Sequence, residues 1–163
     1  MESTEIHTKK AALEDSINRG SADQVTIVSY LQILETLDRT HSGIVSFKWP
    51  SVTYPLYFRC GTSDLSNFKQ IFIQKEYGFP VPYQPRRIMD LGAYVGYAAV
   101  YLATRFPDAY IISLEPARDN FRMLSLNVPA YNNIKILNAA VWGCLRTSRS
   151  SRPRLAIGEP GLE

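Results

Sequence analysis

The sequence has few of the residues that mark a disulfide scaffold or a metal centre. Its two cysteines, Cys60 and Cys144, lie far apart and form no C-x-x-C pair, and its two histidines, His7 and His41, stand in polar contexts. Such spacings predict neither a disulfide framework nor a zinc site. We therefore interpret the cysteines as buried or idle thiols and expect no metal.

Long apolar runs are also missing. No stretch approaches the roughly 18 uninterrupted apolar residues of a membrane-spanning helix. Residues 1–20 are polar and contain no apolar core of a signal peptide. We therefore expect a cytoplasmic protein without a membrane partner. Apolar and charged fractions of 45% and 20% are typical of a soluble globular chain.

Neither sign of charge dominates the sequence. The net charge of the chain is +3, and residues 144–163 contribute +2 of it, through four arginines and two glutamates. A near-neutral body with a basic tail is only weak support for nucleic-acid binding. We therefore do not favour a nucleic-acid partner.

Apolar patterns in the first half predict two helices and a hairpin. In residues 22–40 the apolar residues step by three, which we interpret as one face of an amphipathic helix; they are Val25, Val28, Leu31, Leu34 and Leu37. Residues 44–48 and 53–59 predict a β-hairpin around Pro50 and Ser51. Residues 1–85 are accordingly interpreted as an N-terminal helical and hairpin cap region.

The second helix of this region is predicted from a cap signal. Thr62 or Ser63 can accept hydrogen bonds from first-turn amides, and Asp64 suits the positive end of the helix. The apolar face of this helix is formed by Leu65, Phe68, Ile71 and Phe72. The segment GFPVPYQP that follows cannot be helical, because it contains three prolines, and we interpret it as a linker.

From residue 86 the pattern changes to alternating strands and helices. Strands are predicted at 88–91, 109–115 and 133–143, and helices at 95–105 and 116–127. Continuous apolar strands that alternate with helices predict a parallel sheet covered on both faces. We therefore expect an α/β fold, with a partial parallel sheet in residues 86–143. A basic irregular tail, 144–163, follows, in which only RLAIG indicates another strand.

The turn after the first of these strands, DLGAYVG, points to a class of cofactor. Gly92 and Gly96 lack the G-x-G-x-x-G spacing of a dinucleotide turn, and no Gly-Lys-Ser/Thr of a P-loop follows. Tyr94 would crowd a pyrophosphate, and Asp90 would repel it. A cationic cofactor without phosphate suits this turn better, and S-adenosylmethionine, with its sulfonium and ammonium groups, is the one that we predict.

Each residue of the turn has an expected role toward that cofactor. Asp90 can face the ammonium directly or through water. Gly92 lets the chain turn sharply and lie close to the methionine portion, and Gly96 lets the next helix pack on the sheet. Amides at the helix mouth can serve the cofactor carboxylate.

The ends of the next two strands complete the predicted site. Glu115, which is followed by Pro116 at a helix mouth, can accept hydrogen bonds from both ribose hydroxyls. The same acid would have this role toward the ribose of NAD, so it does not distinguish the two cofactors. Asn138, or the backbone near Ala139 and Ala140, could hydrogen-bond an adenine edge. A simple turn role for Asn138 is equally open.

Taken together, these motifs resemble the FkbM-type family of S-adenosylmethionine-dependent methyltransferases. The resembling pieces span about residues 58–143 and read FRCGTSDLSNFKQIF, EYG, IMDLGAYVGYAAVYLATRFPDAYIISLEP, NFRMLSLN and YNNIKILNAAVWG. The resemblance implies a Rossmann-like class I methyltransferase fold and methyl transfer to a hydroxyl oxygen, often on a glycan or a secondary metabolite. It implies a cofactor site lined by Asp90, Gly92, Ala93, Gly96 and Glu115.

The resemblance also implies that the segment before the first strand, with Ser63, Asp64, Glu76 and Tyr77, closes over the cofactor. One departure from the family lies in the turn itself, where Tyr94 stands in place of the usual Asn. Asparagine tolerates unusual backbone angles, whereas tyrosine does so poorly.

The second departure is length. Residues 87–163 suffice for about two βαβ steps, and the family's fourth strand, with its acidic K-x-D-x-E-G stretch, is missing. We therefore expect a truncated methyltransferase with no assignable catalytic base. Its bare sheet edge would favour self-association or a second chain. Two alternatives stay open: a non-catalytic fragment or interaction module, and a nucleic-acid methyltransferase suggested by the tail alone.

Overall fold

A computed structural model describes residues 8, 24–142 and 154–157, and for residues 24, 38, 142 and 154–157 it describes the backbone only. The described residues form two compact units, divided between Glu76 and Tyr77. The proline-rich linker therefore belongs to the second unit. Within the described part of the chain, no helix has the length and apolarity needed to cross a membrane.

The first unit opens with helix α1, Gln24–Arg39. Its buried side is formed by Ile27, Tyr30, Ile33 and Leu34, while Val25 and Val28 are 61% and 48% exposed. The helix was predicted correctly, but of the five residues predicted for its apolar face only Leu34 is buried. A strict step of three falls about 60° behind at each repeat on a helix of 3.6 residues per turn. Five residues with that spacing therefore cannot share one face.

The predicted hairpin is confirmed. Strands β1, Ile44–Phe47, and β2, Leu56–Arg59, pair antiparallel, with Ile44 opposite Arg59. Helix α2, Asp64–Phe68, follows and continues into a π-helical turn, Lys69–Ile73. An aromatic cluster holds these elements together, because the Phe68 ring lies 5.1 Å from that of Phe58 and 4.8 Å from that of Trp49.

A buried ion pair that the sequence did not reveal joins β2 to α2. The side chain of Asp64 is fully buried and accepts hydrogen bonds from the Arg59 amide at 2.9 Å, from Nε at 3.0 Å and from Nη2 at 2.7 Å. Ser63 is the N-cap residue of α2 but makes no side-chain cap bond. The Thr62 hydroxyl accepts from the Asp64 amide instead, at 3.2 Å.

The second unit contains the predicted α/β pattern. Its elements are β3 (Arg87–Leu91), α3 (Tyr97–Arg105), β4 (Tyr110–Leu114), α4 (Arg118–Asn127) and β5 (Ile134–Leu137). The three strands form a parallel sheet in the order β3-β4-β5. This order, with a helix in each crossover, is half of a doubly wound sheet. The predicted α/β fold with a partial Rossmann-like sheet is therefore confirmed.

Both helices lie on one face of this sheet. Leu102 and Ala103 of α3 pack in one cluster with Ile88 and Ile111 of the strands, and α3 contacts α4. On the opposite face, Met89 and Leu91 are 61% and 56% exposed. The expectation of helices on both faces was therefore wrong for the described residues, because successive crossovers of the same hand bring their helices to the same side.

The predicted third strand, 133–143, is divided in two at Asn138. Residues Ile134–Leu137 pair with β4 as β5, whereas β6, Ala139–Trp142, pairs antiparallel with β7, Arg154–Ile157. The strand predicted from RLAIG is thus present. The rest of the tail predicted as basic and irregular, residues 144–153 and 158–163, lies outside the described residues.

Gly96 provides a test of how tightly α3 is packed. It precedes α3 with a φ of +94°, and a Cβ there would lie 2.8 Å from Leu124 Cδ1 and 3.3 Å from Val128 Cγ1. We expect Gly96→Ala to lower the free energy of unfolding by about 1–2 kcal/mol for the backbone and by about 1–3 kcal/mol for overpacking. Gly92→Ala is the matched control, because Gly92 has a φ of +89° but open space around its Cβ. Equal losses for the two variants in urea unfolding would refute the packing component.

Candidate functional site

The carboxyl ends of β3, β4 and β5 meet at one edge of the sheet, which is where ligands bind in open parallel sheets. Asp90 is the penultimate residue of β3, Glu115 directly follows β4, and Asn138 directly follows β5. Hydrogen bonds join each of these residues to the neighbouring strand or its end: Asp90 to Ser113 of β4, Glu115 to the turn after β3, and Asn138 to the carbonyl of Glu115. The predicted residues therefore form one continuous edge.

Glu115 is the centre of these connections. The residue is 5% exposed. Oε2 accepts from the Tyr94 amide at 2.9 Å, and Oε1 accepts from the Ala117 amide at 2.9 Å and from Asn120 Nδ2 at 3.4 Å. A carboxylate offers about four acceptor positions, so acceptor capacity remains at Oε2. Glu115 thus joins the turn after β3 to the turn after β4 and still can accept from a ligand hydroxyl.

Asp90 is the second buried carboxylate of this edge. It is 9% exposed, and Ser113 Oγ donates to its Oδ2 at 3.3 Å. Burial raises the pKa of Asp90 above its ordinary value, the Ser113 hydrogen bond opposes the shift, and the charge of Glu115 adds to it. A nearby cation would lower this pKa again, because it stabilises the ionised form.

The turn between β3 and α3 is held tightly by the protein itself. The amides of Gly92 and Ala93 both donate to the carbonyl of Leu114, at 2.9 and 2.8 Å, and the Gly96 amide donates to the Ala93 carbonyl at 2.8 Å. With the Tyr94 amide on Glu115, four amides of the turn have protein acceptors. The predicted service of helix-mouth amides to a ligand carboxylate stays a prediction, and it would need other amides or an exchange of partners.

Two residues of the turn have left-handed backbone angles. Gly92 has a φ of +89°, and no atom lies within 4 Å of the position that its Cβ would take. A ligand could therefore approach the backbone there. Tyr94 has a φ of +52°, a conformation that costs an L-residue with a large side chain about 1–2 kcal/mol.

The third strand end is less open to a ligand than its predicted role requires. Asn138 Nδ2 donates to the carbonyls of Glu115 and Pro116, at 2.7 and 3.1 Å. Both amide hydrogens of Asn138 therefore serve the protein, which fits the turn role, and its contact with an adenine edge stays a prediction. Ala139 is buried and Ala140 half-buried in β6, while Pro116 is exposed before α4.

Two supporting polar residues were missed by sequence reasoning. Ser113 of β4 lies opposite Asp90 of β3 and donates a hydrogen bond to it. The buried Asn127 donates from Nδ2 to the Val95 carbonyl at 2.8 Å, which anchors the end of the turn to α4. Each had a signal in the sequence. Ser113 is the single polar residue inside the apolar run YIISL, and Asn127 continues the apolar stripe of Met123 and Leu124 along α4.

In the segment predicted to close over the cofactor, the side chain of Asp64 already has a partner within the protein. Asp64 is occupied by Arg59 within the first unit. Closure of the segment with Ser63, Glu76 and Tyr77 over a cofactor stays a prediction.

Among the described residues, no group of three or more His, Cys, Asp or Glu side chains could hold a metal ion.

Asp90 predicts a measurable pH dependence of stability. Since the pKa of Asp90 is raised in the folded chain, the folded state binds the proton more tightly than the unfolded state. The free energy of unfolding should therefore fall as the pH rises from about 3.8 through the folded pKa. Asp90→Asn removes this titration. As the pH rises from about 3.8 through the folded pKa, the free energy of unfolding of the variant should therefore increase relative to that of the unmodified chain, and above the folded pKa the difference should stay constant. Parallel urea titrations across pH test this, and a difference that does not change with pH would contradict it.

Tyr94 allows the backbone strain to be measured apart from the ring contacts. Tyr94→Asn and Tyr94→Ala both remove the ring, but asparagine tolerates the left-handed angle better than alanine. We expect Tyr94→Asn to unfold with a free energy about 0.5–1 kcal/mol higher than Tyr94→Ala. Equal stability of the two variants would show that the angle is not strained.

The sequence matches no protein-family model and no curated protein. Among solved structures, the chain is similar to methyltransferase FkbM from Methylobacillus flagellatus KT, with a TM-score of 0.34 and 14% identity over 83% of this chain and 33% of that one. It is also similar to coclaurine N-methyltransferase bound to N-methylheliamine and SAH, with a TM-score of 0.33 and 10% identity over 82% of this chain and 44% of that one. The chain thus spans 33% and 44% of the lengths of these two proteins. Because the TM-scores and identities are low, a functional assignment has to rest on the residues of the site.

Proposed function

We propose that this chain is the S-adenosylmethionine-binding part of a methyltransferase that acts on a hydroxyl oxygen of a small molecule or glycan. The observation that carries the proposal is the pair of buried carboxylates, Asp90 and Glu115, at adjacent strand ends beside an open glycine turn. Two buried negative charges disfavour phosphate and favour a ligand that brings cationic groups and hydroxyl donors.

The residues present fit such a ligand on its acidic side. Asp90 would lie opposite the ammonium, where a positive charge offsets the cost of its burial. Glu115 would accept ribose hydroxyl protons with its remaining capacity at Oε2, while its bonds to Tyr94 and Ala117 fix its orientation. The open space at Gly92 would admit the methionine portion close to the backbone. When bound, S-adenosylmethionine supplies a methyl group on a positively charged sulfur.

The contribution of the protein would be positioning. Transfer of a methyl group is an in-line displacement that gains most from holding the two reactants in a reactive geometry. The likeness to the two methyltransferase structures agrees in kind with this assignment but does not carry it.

Calorimetric titration of the full chain with S-adenosylmethionine and with its demethylated product tests the cofactor half. We expect saturable binding of both, weakened about 10- to 100-fold by Glu115→Gln, because a charged hydrogen bond is worth about 1.5–3 kcal/mol. Asp108→Asn is the matched control, since Asp108 is exposed and lies at the amino edge of the same sheet.

The same samples give the outcomes that decide between functions. If a folded chain binds neither ligand, the proposal fails. If it binds S-adenosylmethionine but transfers no methyl group to any hydroxyl acceptor in a mixed glycan and phenol panel, the module binds without catalysing. Thermal unfolding of Glu115→Gln separates lost binding from lost folding, because an unpaired amide at Tyr94 or Ala117 costs about 1–3 kcal/mol.

A further inference from the structure

The first unit contains a cavity that has no part in the proposed cofactor site. Its volume is about 290 Å³, near the lower end of the roughly 300–1,000 Å³ range of small-molecule sites. The lining residues all belong to this unit and are Leu37, Thr40, His41, Phe58, Arg59, Gly61, Thr62 and Leu65. The cavity lies between the end of α1, the end of β2 and the start of α2.

The inner wall of the cavity is apolar and rigid. Phe58 is fully buried, and its ring makes edge contacts with Phe47 at 5.0 Å and Phe68 at 5.1 Å. Leu37 and Leu65 complete this wall. Because packed aromatic rings do not rearrange at low cost, the wall is preformed for an apolar body.

The remaining wall is polar, and one of its hydroxyls, that of Thr62, already donates to the Arg59 carbonyl at 3.0 Å. Thr40, His41, Arg59 and Thr62 line it, and none of the eight described lining residues is an acid. Asp64, which is fully buried and does not line the cavity, binds the guanidinium of Arg59 through both carboxylate oxygens. The cationic member of this pair, Arg59, is thus a lining residue of the cavity, whereas its acidic partner is not.

The mouth of the cavity is open. Gly61 has a φ of +71°, with no atom within 4 Å of its Cβ position, and His41, Gly61 and Thr62 are exposed. A small ligand can therefore enter with its apolar end first and leave a polar group beside the polar wall.

We propose that this cavity binds a small monocarboxylate with an aromatic or short aliphatic body. The apolar wall takes the body, and Thr40, His41 and Arg59 provide the donors for the carboxylate, because polar groups at a few positions fix the orientation of a small ligand. This assignment is independent of the cofactor site, because every residue that carries it lies in the first unit.

Benzoate is the probe, with benzyl alcohol as its uncharged analogue. In amide-resolved NMR titrations of the full chain, we expect saturable shifts with a dissociation constant in the millimolar range, since ligands of about nine non-hydrogen atoms reach that affinity. The shifts should centre on residues 40–41 and 58–65. Benzyl alcohol should bind several-fold more weakly.

Substitutions at the mouth provide the controls. His41→Trp should weaken benzoate at least about tenfold by filling the cavity, whereas Ser42→Trp, at an exposed neighbour outside the lining, should not. His41→Ala against Ser42→Ala repeats the comparison without added bulk, with a several-fold loss expected for His41→Ala alone. Absent saturation, or equal binding by His41→Trp, overturns the site. Equal affinity for benzyl alcohol overturns the carboxylate assignment.

Discussion

The carboxylate of Glu115 holds the candidate site together. It follows β4, yet it accepts from Tyr94 in the turn after β3 and from Ala117 before α4. Asn138, after β5, in turn donates to the carbonyls of Glu115 and Pro116. These side-chain hydrogen bonds fix three strand ends to one another at the place where the backbone hydrogen bonds of the sheet end.

The two acids buried at this edge differ in how many hydrogen-bond donors offset the cost of their burial. Glu115 accepts from three protein donors, which fix the orientation of its carboxyl group. Asp90 has the hydroxyl of Ser113 as its described donor and lies near a second negative charge. A buried carboxylate with so little compensation is costly, and a cationic ligand is the simplest group that would offset the cost. This asymmetry is the physical basis of the proposed cofactor.

The first unit solves a similar problem in another way. Asp64 is fully buried but receives the amide and guanidinium of Arg59, so that the pair is closed within the protein. A closed pair needs no ligand at Asp64, and its cationic member, Arg59, is also a lining residue of the neighbouring cavity.

Local patterns in the sequence determined the elements of this protein. The hairpin around Pro50, the α/β alternation and the order of Asp90, Gly92 and Glu115 follow from residue type and spacing over a few positions. What the tertiary structure decided involves residues distant in sequence. Glu115 and Tyr94 are 21 residues apart, and Asn138 and Glu115 are 23 apart, so no local pattern indicates that they bond. The division of the third strand at Asn138, the placement of both helices on one face and the occupied amides of the turn have the same cause. Each depends on which chain segment arrives beside another, and that is set by sheet order and crossover hand rather than by local residue patterns.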